Sequence, residues 1–118
     1  LQNRMPTAAI KNKMGKFIDA TIASTSDSAN VKLPDDMRIS LTNGDSLNGN
    51  PISGFTWVLI YKNLGLIEKK KAEELKKLLN WMIHEGQKYT EPLNYSPLSN
   101  EAVKKAENII KSIKLTNS

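Results

Sequence analysis

Ser53-Gly54-Phe55-Thr56 is the stretch of this chain best suited to hold an anion. Backbone N–H groups beside a glycine can converge on an oxyanion, and flanking hydroxyls add donors. Ser53, Gly54 and Thr56 are therefore the candidate ligand contacts. The stretch runs into an apolar segment rather than into a helix, so the helix-dipole half of such a site is missing. Glycine beside an aromatic run also reads as a bend or a close-packing point.

Other reactive side chains are sparse. His84 is the only histidine and stands near the end of a helical pattern, where it complements the helix dipole. With one His, no Cys and no clustered carboxylates, a zinc site has no ligand set. Asp35-Asp36 could share a proton, but adjacent acids in a loop are ordinarily solvated. Lys69-Lys70-Lys71 and Lys76-Lys77 could meet phosphate backbones. They alternate with Glu68, Glu73 and Glu74 at helical pairing distances, which fits a solvated face better than nucleic-acid binding. Trp57 and Trp81 sit among apolar residues and read as core rather than stacking platforms. No residue is assigned a catalytic or metal-binding role, and no cofactor is expected.

The elements that must position these residues differ between the two halves. All five acids of residues 1–63 are Asp, amid many Ser, Thr, Asn and Gly, whereas all seven acids of residues 64–118 are Glu, beside ten lysines. The first composition favours turns and caps, the second helices. In the first half, Pro6 to Ile10 leads to the turn-prone KNKMGK, and Phe17-Ile18-Asp19 reads as a brief extended piece. Thr21 to Ala29 forms at best a poor helix, and Met37 to Leu41 alternates like a short strand. TNGDSLNGNP, residues 42–51, is a loop.

In the second half, Ala72, Leu75, Leu78, Leu79, Met82 and Ile83 form one stripe of a helix over Glu68 to Glu85, with Gly86 as its stop. A last helix begins at Ser99 or Asn100 and turns Val103, Ala106, Ile109, Ile110 and Ile113 to one side.

Between the halves lies NPISGFTWVLIYKN, residues 50–63, whose run from Phe55 to Tyr61 carries no charge and does not alternate. That is the pattern of a strand buried on both faces of an α/β sheet. Burying Ile52, Phe55, Trp57, Val58, Leu59 and Ile60 would contribute roughly 1.5–3 kcal/mol each. Two helices cover one face of one strand and supply no neighbouring strands, so the composition implies missing partners.

One domain, or a piece of one, is the reading for 118 residues with 39% hydrophobic and 25% charged content. The net charge of +5 is ordinary for a soluble protein, and the absence of cysteine excludes a disulfide framework without fixing the compartment. There is no spanning apolar run and no signal-peptide core, and the chain does not begin with Met. It reads as a mature or cut chain whose beginning lies elsewhere.

Three separated stretches resemble one family, the phosphate-binding, substrate-binding proteins of ABC transporters. LQNRMPTAAIKNKMGKFIDAT is similar to the family's segment in which Gln-Asn leads into a short strand, followed by Gly-Lys and an extended piece. NPISGFTWVLIYKN resembles its Pro-Ile, aromatic and apolar-strand segment, and LLNWMIHEGQKYTEPLNYSPLS its Trp helix with a following Gly-Gln and Tyr-containing turn. Ser99 departs from the family's usual Pro, and residues 22–31 match poorly.

The resemblance implies an α/β fold: the C-terminal portion of a two-lobed periplasmic-binding-protein fold of type II, incomplete as a single chain. On this reading residues 1–48 belong to the second lobe, 49–56 cross the hinge, and 57–118 give a strand and the C-terminal helices of the first lobe. It implies a non-enzymatic protein, periplasmic or extracellular, with a lipid anchor in the full-length form as an option. That protein captures inorganic phosphate and delivers it to a membrane permease. No position matches the family's phosphate-contacting motifs, so the chain would be framework. A missing N-terminal segment or a second copy would complete it. The alternative is a fragment that self-associates as an interaction module and binds no solute.

Overall fold

The computed structural model describes residues 5–115, so the Gln2-Asn3 pair of the opening stretch lies outside the described residues. In chain order they form β1 (Ile10–Lys11), β2 (Phe17–Ile18), α1 (Ile22–Ser28) and α2 (Lys69–Ile83). Two 3-10 turns (Glu85–Tyr89 and Glu91–Leu93) and α3 (Asn100–Lys111) follow. The architecture is mixed α/β, with strands in the first half and the longer helices in the second, as composition predicts.

KNKMGK closes a tight antiparallel hairpin in which Ile10 pairs with Ile18 and Lys11 with Phe17. The Asn12 N–H donates to the Lys16 carbonyl and the Gly15 N–H to the Asn12 carbonyl, both at 2.9 Å. Gly15 takes φ +85°, the left-handed position that a three-residue hairpin loop gives to glycine. Asn12 is buried and holds more than its own turn. Its Oδ1 accepts the N–H groups of Met14 and Lys16, each at 3.1 Å. Its Nδ2 faces the carbonyls of Ser46, Leu47 and Gly49 at 3.3, 3.0 and 3.4 Å. The hairpin is thereby fastened to the 42–51 loop.

Hydroxyls hold α1, where apolar residues are too few to do so. Thr21 and Ser24 cap the helix reciprocally, side chain to backbone in both directions. Ser24 and Ser28 are its buried residues. The Asn50 N–H donates to the Ser24 carbonyl at 2.9 Å, and Ser28 Oγ lies 2.9 Å from Ser53 Oγ and 3.0 Å from the Asn50 carbonyl.

The two long helices pack against each other. Ala72 and Leu79 of α2 meet Ile110 of α3, Ile113 and Leu64 in one buried cluster, with Ile60, Leu75, Ile83 and Leu115 at its edge. A parallel bridge between Asn63 and Lys114 closes the end of this cluster. Ser99 caps α3 by accepting the Ala102 N–H at 3.2 Å. A second cluster, Leu33, Met37 and Ala102, ties the first half to the start of α3.

Several expectations fail, each for an identifiable reason. Met37 to Leu41 is not a strand: Met37 sits at φ 59° after a turn in which its N–H donates to the Pro34 carbonyl at 3.0 Å. The turn chemistry of Pro34-Asp35-Asp36 overrides the alternation. Gly86 does not stop α2, which ends at Ile83 and passes through His84 into a 3-10 turn. A Cβ on Gly86 would lie 3.0 Å from the Trp81 carbonyl oxygen and 3.2 Å from the indole, so this glycine is a close-packing point. Ile109 of the expected α3 face is exposed, as are Leu78 and Met82 of the α2 stripe.

The largest departure is Phe55 to Tyr61. Among the described residues this run joins no strand, and the two tryptophans are not core: Trp57 is 47% and Trp81 46% exposed. Trp57 meets the edge of Phe55, at 5.5 Å between ring centroids, and Trp81 tilts over Tyr89 at 6.1 Å. Ile52, Val58, Leu59 and Tyr61 are also exposed, Leu59 at 95%. The strand pattern is in the sequence, but its neighbours are not within reach.

The whole chain shows the same imbalance. Its accessible surface is 8635 Å², against about 6,400 Å² for a self-contained folded monomer of this mass. Its radius of gyration is 16.9 Å, where a compact chain of this length has about 13.5 Å.

Candidate functional site

Ser53, Gly54 and Thr56 are placed differently from one another. Ser53 is buried and its hydroxyl is taken up by Ser28 beside the Asn50 carbonyl. Gly54 faces open space, and Thr56 is exposed. Among the described residues no hydrogen bond joins the two hydroxyls. The arrangement secures the crossing from the 42–51 loop and gathers no converging donors.

An open cleft of about 560 Å³ lies nearby, lined by Lys13, Lys32, Ser40, Thr42, Asn43 and Asp45 among others. The TNGD signal marked it in the sequence only as a loop. Its amides are already committed inwards: the Asn43 N–H donates to the Pro51 carbonyl at 2.9 Å and that of Gly44 to Leu41 at 3.3 Å. Asn43 Oδ1 accepts the Lys13 N–H at 2.8 Å, while the Lys13 ammonium pairs with Asp45. Of the two lysines in its lining, Lys13 is thus matched by an acid, and the bonded amides of Asn43 and Gly44 form no nest of free N–H groups.

His84 bridges the helices. Its Nε2 lies 2.9 Å from Glu107 Oε1 of α3, a contact between side chains that the sequence reading left as a dipole effect alone. Glu107 also receives Lys111 at 3.7 Å, one turn on. The lysine-rich face of α2 is laced as its spacing predicts, Lys69 to Glu73, Lys71 to Glu68 and Lys77 to Glu74. The Glu74 carboxylate raises the pKa of Lys77. Lys76 turns the other way and donates to the Ile113 carbonyl at 3.1 Å, closing the end of α3.

Asp35 and Asp36 do not share a proton. Asp35 accepts from the Lys105 ammonium at 2.6 Å, and that bond holds its pKa below the ordinary carboxylate value. Asp36 accepts the backbone N–H of Arg38 at 3.0 Å and its Nε at 2.8 Å, which lowers its pKa too. A proton-sharing pair would raise one of the two. Both carboxylates should thus titrate below the ordinary Asp range in a carbon-detected NMR titration, and Lys105→Met should return Asp35 alone towards it. Because both folded-state values are depressed, the contribution is present above the unfolded value and is lost as pH falls through the folded one. A midpoint above the ordinary value for either acid would contradict this assignment.

Asp35–Lys105 is one of several polar ties between the first half and the α3 region, beside the Lys114 N–H to Lys62 carbonyl bond at 2.8 Å. Ser26 Oγ meets Ser96 Oγ at 2.6 Å, and the Leu33 N–H donates to Glu101 Oε1 at 3.4 Å. Nothing among these residues forms a catalytic constellation, and the described residues contain no group of three or more metal-ligating side chains.

Neither a family model nor a solved structure matches the chain significantly. Curated relatives do. Over 101 residues it is 32% identical to "Phosphate-binding protein PstS" of Methanocaldococcus jannaschii, which covers 75% of this chain and 25% of the relative. Over 116 residues it is 30% identical to proteins of the same name from two strains of Xylella fastidiosa, 91% of this chain and 30% of theirs. The chain thus spans a quarter to three-tenths of the length of the curated relatives it matches. The resemblance read in three short stretches holds across most of the sequence.

Proposed function

We propose, from this likeness to part of the phosphate-binding proteins, that the chain is non-catalytic framework of an ABC-transporter solute-binding protein. The observation that carries the reading is similarity over 75–91% of the chain. The complete protein captures phosphate by dehydrated oxyanion recognition, through N–H groups, hydroxyls and an arginine, and passes it to a membrane permease. It works outside the cytoplasmic membrane, in the periplasm or beyond, with a lipid anchor as a further option.

Within that protein, residues 1–48 form part of one lobe, 49–56 the hinge crossing and 57–118 the closing strand and helices of the other. The ties Asp35–Lys105, Glu101–Leu33 and Ser26–Ser96 then brace the two lobes behind the crossing. The surplus of exposed surface supports a chain finished by further sheet. So does the exposure of Trp57, Val58, Leu59 and Tyr61, since the remainder of a two-lobed α/β protein would cover them.

Isothermal calorimetry with inorganic phosphate tests the framework role. This chain alone should give no binding heat, because the Ser53 hydroxyl is bonded to Ser28 and the Asn43 and Gly44 amides of the cleft to backbone carbonyls, which leaves no converging set of donors. The same chain within its full-length parent should bind phosphate at one site. Saturable binding by the chain alone would overturn the framework role. A full-length protein that ignores phosphate but takes another oxyanion would overturn the ligand.

A further inference from the structure

The loop of residues 42–51 contains the pair Asn-Gly twice, as Asn43-Gly44 and Asn48-Gly49. A glycine has no Cβ to hold its backbone nitrogen away from the preceding side-chain amide, so such a pair can close a ring on itself. The fold treats the two pairs differently.

Asn43 is pinned. Its Oδ1 accepts the Lys13 backbone N–H at 2.8 Å, its own N–H donates to the Pro51 carbonyl at 2.9 Å, and it takes φ 49°. That donor is fixed in the hairpin, and the Lys13 ammonium pairs with Asp45 instead. Asn48 is exposed, and its own N–H has no hydrogen-bond partner among the described residues. Its Oδ1 accepts from the Lys16 ammonium at 2.5 Å. The hairpin anchors Lys16 by its backbone, the N–H donating to Asn12 Oδ1 at 3.1 Å and the carbonyl accepting the Asn12 N–H at 2.9 Å. The side chain beyond that anchor is flexible, so its cation can follow the amide as it turns. The Gly49 N–H reaches the Ser46 carbonyl only at 3.4 Å, a long bond that engages the nitrogen weakly.

We infer that Asn48-Gly49 is a self-modification site, where the side-chain amide is lost by cyclisation with the Lys16 ammonium assisting. The Gly49 nitrogen, its proton given to hydroxide, attacks Asn48 Cγ. As the N–Cγ bond forms, negative charge develops on Oδ1, where the Lys16 ammonium stabilises it. The Cγ–Nδ2 bond then breaks, and Nδ2 takes a proton from water and leaves as ammonia. One water opens the resulting succinimide at either carbonyl, giving aspartate or isoaspartate. No oxidant or reductant is consumed.

The isoaspartate product strains the loop. It routes the chain through Cβ and lengthens the backbone directly before Gly49. A Cβ on Gly49 would already lie 2.7 Å from Ser46 Cβ and 3.0 Å from Ser28 Cα, so no slack exists for a longer chain. The Gly49 carbonyl faces Asn12 Nδ2, and the Asn50 N–H donates to the Ser24 carbonyl at 2.9 Å. Conversion at Asn48 thus loosens the hairpin and α1 from the loop together, a slow timer built into this fold. The inference stands apart from the phosphate reading.

Incubation of the intact chain at mildly alkaline pH, followed by peptide mapping with tandem mass spectrometry, tests it. Asn48 should convert several times faster than Asn43, and faster still as pH rises. Isoaspartyl methyltransferase should label the product at position 48. Lys16→Met should slow conversion at Asn48 several-fold and leave Asn43 unchanged. In a peptide of residues 42–51, which lacks both sets of contacts, the two pairs should convert at similar rates. The converted chain should unfold at lower urea than the native one. Asn43 converting as fast as Asn48 in the folded chain would overturn the inference, as would a Lys16→Met chain converting at the native rate. A peptide that keeps the full difference between the pairs would assign it to local sequence and overturn the role of the fold. An Asn48 that stays intact while the peptide reacts would mean that packing around Gly49 blocks the ring, and equal urea midpoints would overturn the loosening.

Discussion

Replacing Asn12 by Asp is expected to cost on the order of 3 kcal/mol and to release the hairpin from the 42–51 loop. The exchange is nearly isosteric, so the effect is chemical. In the native chain Nδ2 points its hydrogens at three carbonyl oxygens, those of Ser46, Leu47 and Gly49. A carboxylate oxygen in that place meets three acceptors and donates nothing, at a position only 4% exposed. Protonation restores one donor, so the variant should recover part of its stability as pH falls into the carboxylic-acid range. Asn12→Ala should cost less, because it leaves the carbonyls unpaired without adding a charge. Urea denaturation of the three proteins, read by amide resonances of residues 42–51, measures the series. An Asn12→Asp loss below about 0.5 kcal/mol would show that the contacts to the loop do not hold it.

Ile110→Ala should be comparably damaging, with a loss of roughly 2–4 kcal/mol. Ile110 is 6% exposed in the cluster with Leu64, Ala72, Leu79 and Ile113, the buried cluster that α2 and α3 share among the described residues. Its neighbour is the control. Ile109 is 36% exposed, so Ile109→Ala removes the same atoms from the same helix at a position facing solvent. That variant should lose less than about 1 kcal/mol, and helix propensity favours it slightly. Thermal unfolding followed by circular dichroism separates the pair. Equal losses would mean that the helices are held by something other than this seam.

These expectations mark where local sequence was informative. The hairpin turn, the hydroxyl-capped α1 and both long helices follow from short-range rules, because caps, turns and helical stripes are completed within a few residues. Asn12 shows the limit of such rules. KNKMGK identifies its turn, yet its amide reaches residues 46–49, more than thirty positions away. His84 is similar, since its partner Glu107 lies on another helix. Alternation at Met37 to Leu41 misled because a strand is defined by its neighbour, and the turn ahead of it sent Met37 inwards to Leu33 and Ala102 instead.

The candidate site was legible to a lesser degree. Ser53-Gly54-Phe55-Thr56 offers the right groups for an anion, but whether hydroxyls converge depends on what else they can reach. Ser28, brought in by α1, takes the Ser53 hydroxyl into the interior.

By itself, then, the sequence determined the hairpin turn, the three helices and their caps, the charge lacing of α2 and the likeness to phosphate-binding proteins. Each of these depends on residues close together in the chain or on residue identities alone. Only the tertiary structure decided which stripe residues are buried, where Asn12, Ser53 and His84 spend their hydrogen bonds, and that Phe55 to Tyr61 stands unpaired. Burial and pairing are properties of what comes to lie beside a residue, and for a strand that neighbour is always another segment of chain.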